Sequence, residues 1–135
     1  MPIKIILDSN FLFIPLQFHI DILEELERLT GRKVEAILLS SVYEEVKALS
    51  KRKDVEGRQA ELALKYAEKL KIVKCETRSN ETVDDLILRI ASESEYPVAT
   101  NDRILRKKLK DINIIFNSPN KSDVEAYLSS KKYNL

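Results

Sequence analysis

Short runs of aliphatic and β-branched residues alternate along this chain with longer runs in which apolar residues recur every three or four positions. That alternation leaves few folds open, because strands joined by amphipathic helices pair in parallel and bury both faces of one sheet. The first strand is read over Ile3 to Leu7, and Leu16, Ile20, Leu23, Leu26 and Leu29 then keep helical spacing until Gly31 stops the run. A second strand, Ala36 to Leu39, leads into a helix from about Val42 to Leu49, followed by the charged link Lys51-Arg52-Lys53-Asp54. Ala60, Ala63, Leu64, Ala67 and Leu70 mark a third helix, and Ile72-Val73 a third strand. Thr82 opens a helix carrying Val83, Leu86, Ile87, Ile90 and Ala91, which Pro97 ends. Val98-Ala99-Thr100 gives a fourth strand, Ile104 to Leu109 a short basic helix and Ile112 to Phe116 a fifth strand. Ser118-Pro119-Asn120 reads as a turn, and Ser122-x-x-Glu125 caps a last helix. The expectation is one α/β domain over residues 1–135, a three-layer sandwich whose central parallel sheet of about five strands is flanked by helices.

Composition removes most chemistries. The only glycines, Gly31 and Gly57, cannot build a G-x-G-x-x-G turn or a phosphate-binding P-loop. One cysteine, Cys75, and one histidine, His19, leave no disulfide framework, zinc finger or H-E-x-x-H site. His19 sits in the first helix without a partner for metal or proton transfer, and Cys75 reads as a small buried hydrophobe in a reducing cytoplasm. No 18-residue apolar stretch exists, so no membrane partner is expected. Net charge is only +1, so a polyanion would have to be held by local basic clusters. Carboxylates remain as the reactive groups.

Ligands of open parallel sheets bind beyond the carboxyl ends of the strands, where Asp8 follows strand one and Asp102 follows strand four. Each of the helix starts Ser41-Val-Tyr-Glu44-Glu45 and Thr82-Val-Asp84-Asp85 adds a pair of acids. In both, the third residue after the Ser or Thr reads as a capping-box partner, which assigns Glu44 and Asp85 to caps. By helical phase Glu45 and Asp84 then border the inward stripes. Because the acids are doubled, Glu44 and Asp85 stay in reserve. Inward carboxylates at a sheet mouth are costly unless neutralised, so Asp8, Glu45, Asp84 and Asp102 point to a hard cation, Mg²⁺ or Mn²⁺, and to phosphodiester hydrolysis.

The order Ile-Leu-Asp8-Ser-Asn10, Tyr-Glu-Glu45-Val-Lys-Ala-Leu, Asp84-Asp85-Leu-Ile-Leu-Arg-Ile-Ala91 and Val98-Ala-Thr-Asn-Asp102-Arg-Ile-Leu resembles the PIN-domain ribonucleases over essentially the whole chain. The resemblance implies a PIN-like sandwich and metal-dependent cleavage of single-stranded RNA, with Asp8, Glu45, Asp84 and Asp102 as catalytic metal ligands. Asn10 and Thr100 match supporting polar positions. The Asp84-Asp85-x-Ile and Ala-Thr-Asn-Asp102-Arg-x-Leu stretches look closer to the rRNA-processing branch than to the VapC toxins of toxin–antitoxin pairs. Ribosomal assembly factors, an antitoxin or a second copy of the chain therefore all stand open as partners. So does an RNA-binding or assembly module with little activity. Arg103, Arg106, Lys107, Lys108 and Lys110 beside the site, with Lys51 and Arg52 after the Glu45 helix, form basic clusters suited to RNA phosphates. Phe11 and Tyr43 are placed to stack on bases or to pack in the core.

Overall fold

The computed structural model describes residues 2–9, 11–13, 22–100 and 102–111. Four strands, β1 (Ile3–Leu7), β2 (Val34–Leu39), β3 (Lys71–Val73) and β4 (Val98–Ala99), form a parallel sheet in the order β3-β2-β1-β4. Its helices are α1 (Ile22–Thr30), α2 (Ser40–Leu49), α3 (Val55–Ala67), α4 (Val83–Ser94) and α5 (Arg103–Asp111), and Ser9 and residues 11–13 are also helical. The expected α/β architecture is present, with four strands among the described residues. The fifth strand at Ile112–Phe116, the turn at 118–120, the last helix, Leu16, His19 and Ile20 lie outside them.

The chain steps from β1 to β2 to β3 in one direction and then returns to the other side of β1 as β4. Because parallel crossovers are right-handed, that reversal puts α4 on the face opposite the helices of the first two crossovers. Ile5, Ile6 and Leu7 are all fully buried, as a strand covered on both faces requires.

Several boundaries differ from the sequence expectation, each for a local reason. β2 starts at Val34 because Glu35 stands in register with Lys4 and pairs with Lys71 of β3, so a polar residue lies inside the strand. α3 starts at Val55, because Asp54 accepts a hydrogen bond from the Gly57 N–H at 3.0 Å and caps the helix. α4 stops at Ser94, where Glu95 turns left-handed at φ 61°, before Pro97 is reached. Gly31 ends α1 as expected, at φ +68° with its N–H on the Glu27 carbonyl. No described helix is long and apolar enough to cross a membrane.

α3 buries Gly57, Ala60, Ala63 and Ala67, a small-residue face that lets it lie close to α2. Replacing a helical glycine by alanine ordinarily stabilises by about 1 kcal/mol. At Gly57, however, a Cβ would fall 1.9 Å from the Arg52 carbonyl oxygen. Gly57→Ala is therefore expected to destabilise by about 1–3 kcal/mol, read as a lower urea midpoint. An unchanged or higher midpoint would contradict this packing.

Candidate active site

β1 and β4 pair through Ile6–Val98 and Leu7–Ala99, and the Asp8 N–H continues the ladder to the Ala99 carbonyl at 2.9 Å. Asp8 and Thr100 therefore lie side by side just past the strand ends, where the strand order reverses. The Thr100 hydroxyl donates to Asp8 Oδ2 at 2.6 Å, and the Ser9 N–H donates to Oδ1 at 2.7 Å. Both Asp8 and Thr100 are buried. Burial pushes the Asp8 carboxyl above its ordinary value, and the nearby Asp102 charge adds to the rise. The hydrogen bonds from Thr100 and Ser9 oppose it without cancelling it.

Thr100 also accepts a hydrogen bond from the Asp102 N–H at 3.1 Å, so one hydroxyl ties the two acidic loops together. Asp102 in turn caps α5, its Oδ1 accepting from the Ile104 and Leu105 N–H groups at 2.8 and 3.0 Å. Leu105 and Leu109 are buried and anchor that helix to the core.

Asp84 comes from the start of α4. The capping box expected there forms: Thr82 accepts from the Asp85 N–H and Asp85 accepts from the Thr82 N–H. Arg89 secures the preceding loop by bonding both oxygens of Glu81 and the Glu76 carbonyl, and this holds the Glu81 carboxyl down to about 2. With Asp85 committed to the cap, Asp84 is half-buried on the flank of the stripe formed by Leu86, Ile87 and Ala91. Its carboxyl is pushed up by burial and then by the charges of Asp8, Asp102 and Glu45, while Lys108 of α5 pulls it down.

The Glu44–Glu45 start corrects the sequence reading. β2 runs directly into α2, whose N-cap is Leu39, so Ser41 forms no cap and Glu44 is no cap partner. Ser40 is engaged elsewhere, its hydroxyl accepting from the Cys75 N–H and donating to the Cys75 carbonyl, both at 3.0 Å. Glu44 and Glu45 are both exposed, so Glu45 does not turn into the core as its helical phase suggested. Its charge nevertheless reaches Asp84.

Asp84 thus stands in the field of the three other sequence-selected acids. Among the described residues no three His, Cys, Asp or Glu side chains lie close enough to hold a metal ion by themselves. The donor set still suits Mg²⁺ or Mn²⁺. It is all oxygen, its mutual repulsion is only partly offset by Lys108 and by the hydrogen bonds from Thr100 and Ser9, and Mg²⁺ is commonly held by one or two carboxylates with water and substrate phosphate completing its shell. Two stability effects separate the acids of α4. Asp85→Asn should cost at most about 1 kcal/mol through the cap, whereas Asp84→Asn should hold or raise stability at neutral pH by removing a disfavoured charge. Urea melts of both variants without added metal check this, and the reverse order would exchange the two roles.

Of the basic residues, Arg103, Lys107 and Lys51 are exposed. Arg52 is engaged in ion pairs with Asp54 and Glu56, which weakens its suitability for phosphate. Lys108 lies toward Asp84, a direction set by how α5 packs on α4 rather than by the basic run itself. Asn10 and the Arg106 and Lys110 side chains lie outside the described residues. Phe11 is 1% exposed and belongs to the core, so its ring is not presented for stacking, whereas Tyr43 is half-buried against that core. Cys75 is half-buried. Ser9 and the Arg89–Glu81 brace were not singled out from sequence. Only the adjacency of Ser9 to Asp8 offered a cue to either.

A family model described as PIN like domain matches residues 5–117. A protein named Ribonuclease VapC4, from Methanocaldococcus jannaschii, is 37% identical over 113 residues, covering 82% of this chain and 86% of that protein. The structure of the PIN domain endonuclease Utp24 superposes with a TM-score of 0.75 at 28% identity, covering 89% of this chain and 88% of that one. PAE2754 from Pyrobaculum aerophilum shares the fold, with a TM-score of 0.59 at 17% identity over 95% of this chain and 88% of its own.

Proposed function

The chain belongs to the PIN-like domain family, and on that premise we propose that it is a divalent-metal-dependent endoribonuclease acting on single-stranded RNA. Asp8, Glu45, Asp84 and Asp102 would hold Mg²⁺ or Mn²⁺, with Asp8 oriented by Thr100 and Ser9. The observation that carries this reading is the Thr100 hydroxyl, which joins Asp8 to the Asp102 loop past the strand ends, beside an Asp84 carboxyl that is raised by burial and then by the charges of Asp8, Asp102 and Glu45. A divalent cation held by these residues would neutralise the scissile phosphate and acidify the attacking water. Arg103, Lys107 and Lys108 on α5, with Lys51, give the RNA backbone a cationic track beside the acids. The relatives named ribonuclease and endonuclease support the same chemistry.

The test is cleavage of an end-labelled, unstructured RNA by the purified chain. Internal fragments are expected with Mn²⁺ and none after chelation. Intact RNA with Mn²⁺, or cleavage that chelation leaves unchanged, would overturn the proposal and favour an RNA-binding module.

The form of the Asp84 and Asp102 motifs inclines us to rRNA processing as the setting. A second reading, the toxin of a toxin–antitoxin pair, is favoured by the 37% identity to a protein carrying the VapC name. It requires a small protein encoded next to this chain that binds it and suppresses cleavage.

A further inference from the structure

Four large apolar side chains stand exposed among the described residues: Val55 and Leu62 on α3, Ile72 on β3 and Ile104 on α5. Ile104 is the most exposed of them, at 69%, and it lies two residues after Asp102. Its N–H donates to Asp102 Oδ1 at 2.8 Å, so its Cβ stands within about 6 Å of that carboxylate oxygen. A helical Cα–Cβ bond tilts toward the helix N-terminus, and the Ile104 side chain therefore leans back over the Asp102 end of α5. The core does not use it. Leu105 and Leu109 are the buried anchors of this helix, and Ile104 lies 100° around the helix from Leu105.

The surroundings of Ile104 are cationic. Lys107 and Lys108, three and four residues on, are its neighbours along the helix surface, Arg103 precedes it, and all three are exposed. Lys108 also lies toward Asp84, so the row from Ile104 to Lys108 has Asp102 at one end and Asp84 near the other. An exposed apolar side chain among cations suits a polyanion that also shows apolar faces. Single-stranded RNA is such a ligand, because its phosphates meet the cations while its unpaired bases offer flat faces. A duplex keeps those faces stacked inside and presents only edges and backbone. A second copy of the chain meeting this surface with its own α5 would set Arg103, Lys107 and Lys108 against their like, which opposes association.

We propose that Ile104 is the platform for the unpaired base beside the scissile phosphate. The proposal rests on the ribonuclease reading for its ligand and deepens it: a contact with the face of a base selects unpaired RNA without reading its sequence. Its test is binding rather than cleavage. Fluorescence anisotropy of the full chain, at one fixed ionic strength and with Ca²⁺ to neutralise the acids, is measured with three end-labelled ligands. They are a mixed-sequence RNA octamer, a fully abasic octamer of the same backbone charge, and an octamer duplex. Ile104→Ala keeps the N–H that bonds Asp102 and has the higher helix propensity, so the variant folds. It is expected to bind the single-stranded octamer about fivefold more weakly than the native chain does, and the abasic octamer and the duplex equally well. Lys107→Ala, which removes a phosphate contact, should weaken all three alike. Equal loss for the octamer and the abasic strand with Ile104→Ala, or loss for neither, would overturn the proposal. So would a dimer of the native chain, seen by sedimentation, that Ile104→Ala separates, since the side chain would then belong to an interface between copies. Selective loss of octamer binding in a chain that shows no Mn²⁺-dependent cleavage would leave the base platform standing and count against the nuclease reading. Cleavage by the native chain with no selective loss in Ile104→Ala would do the reverse.

Discussion

Asp8→Asn is expected to abolish metal-dependent RNA cleavage while leaving the protein folded and, without metal, more stable. Asp8 is buried and hydrogen-bonded, and its carboxyl is nonetheless raised, so its ionised form is the disfavoured one in the apo fold. An amide keeps the shape, and its one oxygen can still accept from either Thr100 or the Ser9 N–H, but it removes the charge a hard cation needs. The sign with pH follows from linkage. A carboxyl raised by folding contributes stability that is complete below its unfolded value, near 3.8, and is lost as pH rises through the folded value. The stability advantage of Asp8→Asn over the native chain should therefore grow from about pH 4 toward pH 7. Thermal melts across that range, paired with cleavage assays in Mn²⁺, check both halves. Retained turnover, or a variant that melts lower at pH 7, would contradict the role assigned to Asp8.

Thr100→Val should be nearly as damaging by a different route. Valine conserves volume but removes the donor to Asp8 Oδ2 and the acceptor for the Asp102 N–H, leaving polar groups unsatisfied in a buried place. A cost of about 1–3 kcal/mol is expected. Cleavage should fall by about 10- to 100-fold, as for other partners that orient a metal-binding carboxylate. Thr100→Ser keeps the hydroxyl and should restore most of both. A valine variant with full activity would remove Thr100 from the positioning of Asp8.

Much of this arrangement was legible in the sequence because local and tertiary cues agreed. The alternation of apolar runs located all four described strands, and Thr82-x-x-Asp85 both started α4 and left Asp84 as its inward acid. The same reasoning failed at Ser41-x-x-Glu44 because no loop separates β2 from α2. A strand that turns straight into a helix leaves no place for a side-chain cap, and the nearby Ser40 hydroxyl is instead occupied by the Cys75 backbone, 35 residues away. Such a long-range contact leaves no trace in local pattern. Asp54 was hidden for the opposite reason: it lies in a charged run that reads as a link, and the role of Gly57 three residues on, clearing the Arg52 carbonyl, depends on how the chain folds back. The direction of Lys108 and the burial of Phe11 likewise depend on packing between elements distant in sequence.

The claim that acids from four separate elements converge on one cation is tested most directly by anomalous scattering from crystals grown with Mn²⁺. The expected result is a single strong manganese peak in contact with Asp8 and Asp84 or Asp102, close to the Thr100 hydroxyl that joins the two loops. No peak there at saturating Mn²⁺, or manganese bound only at exposed acids such as Glu44, would contradict it.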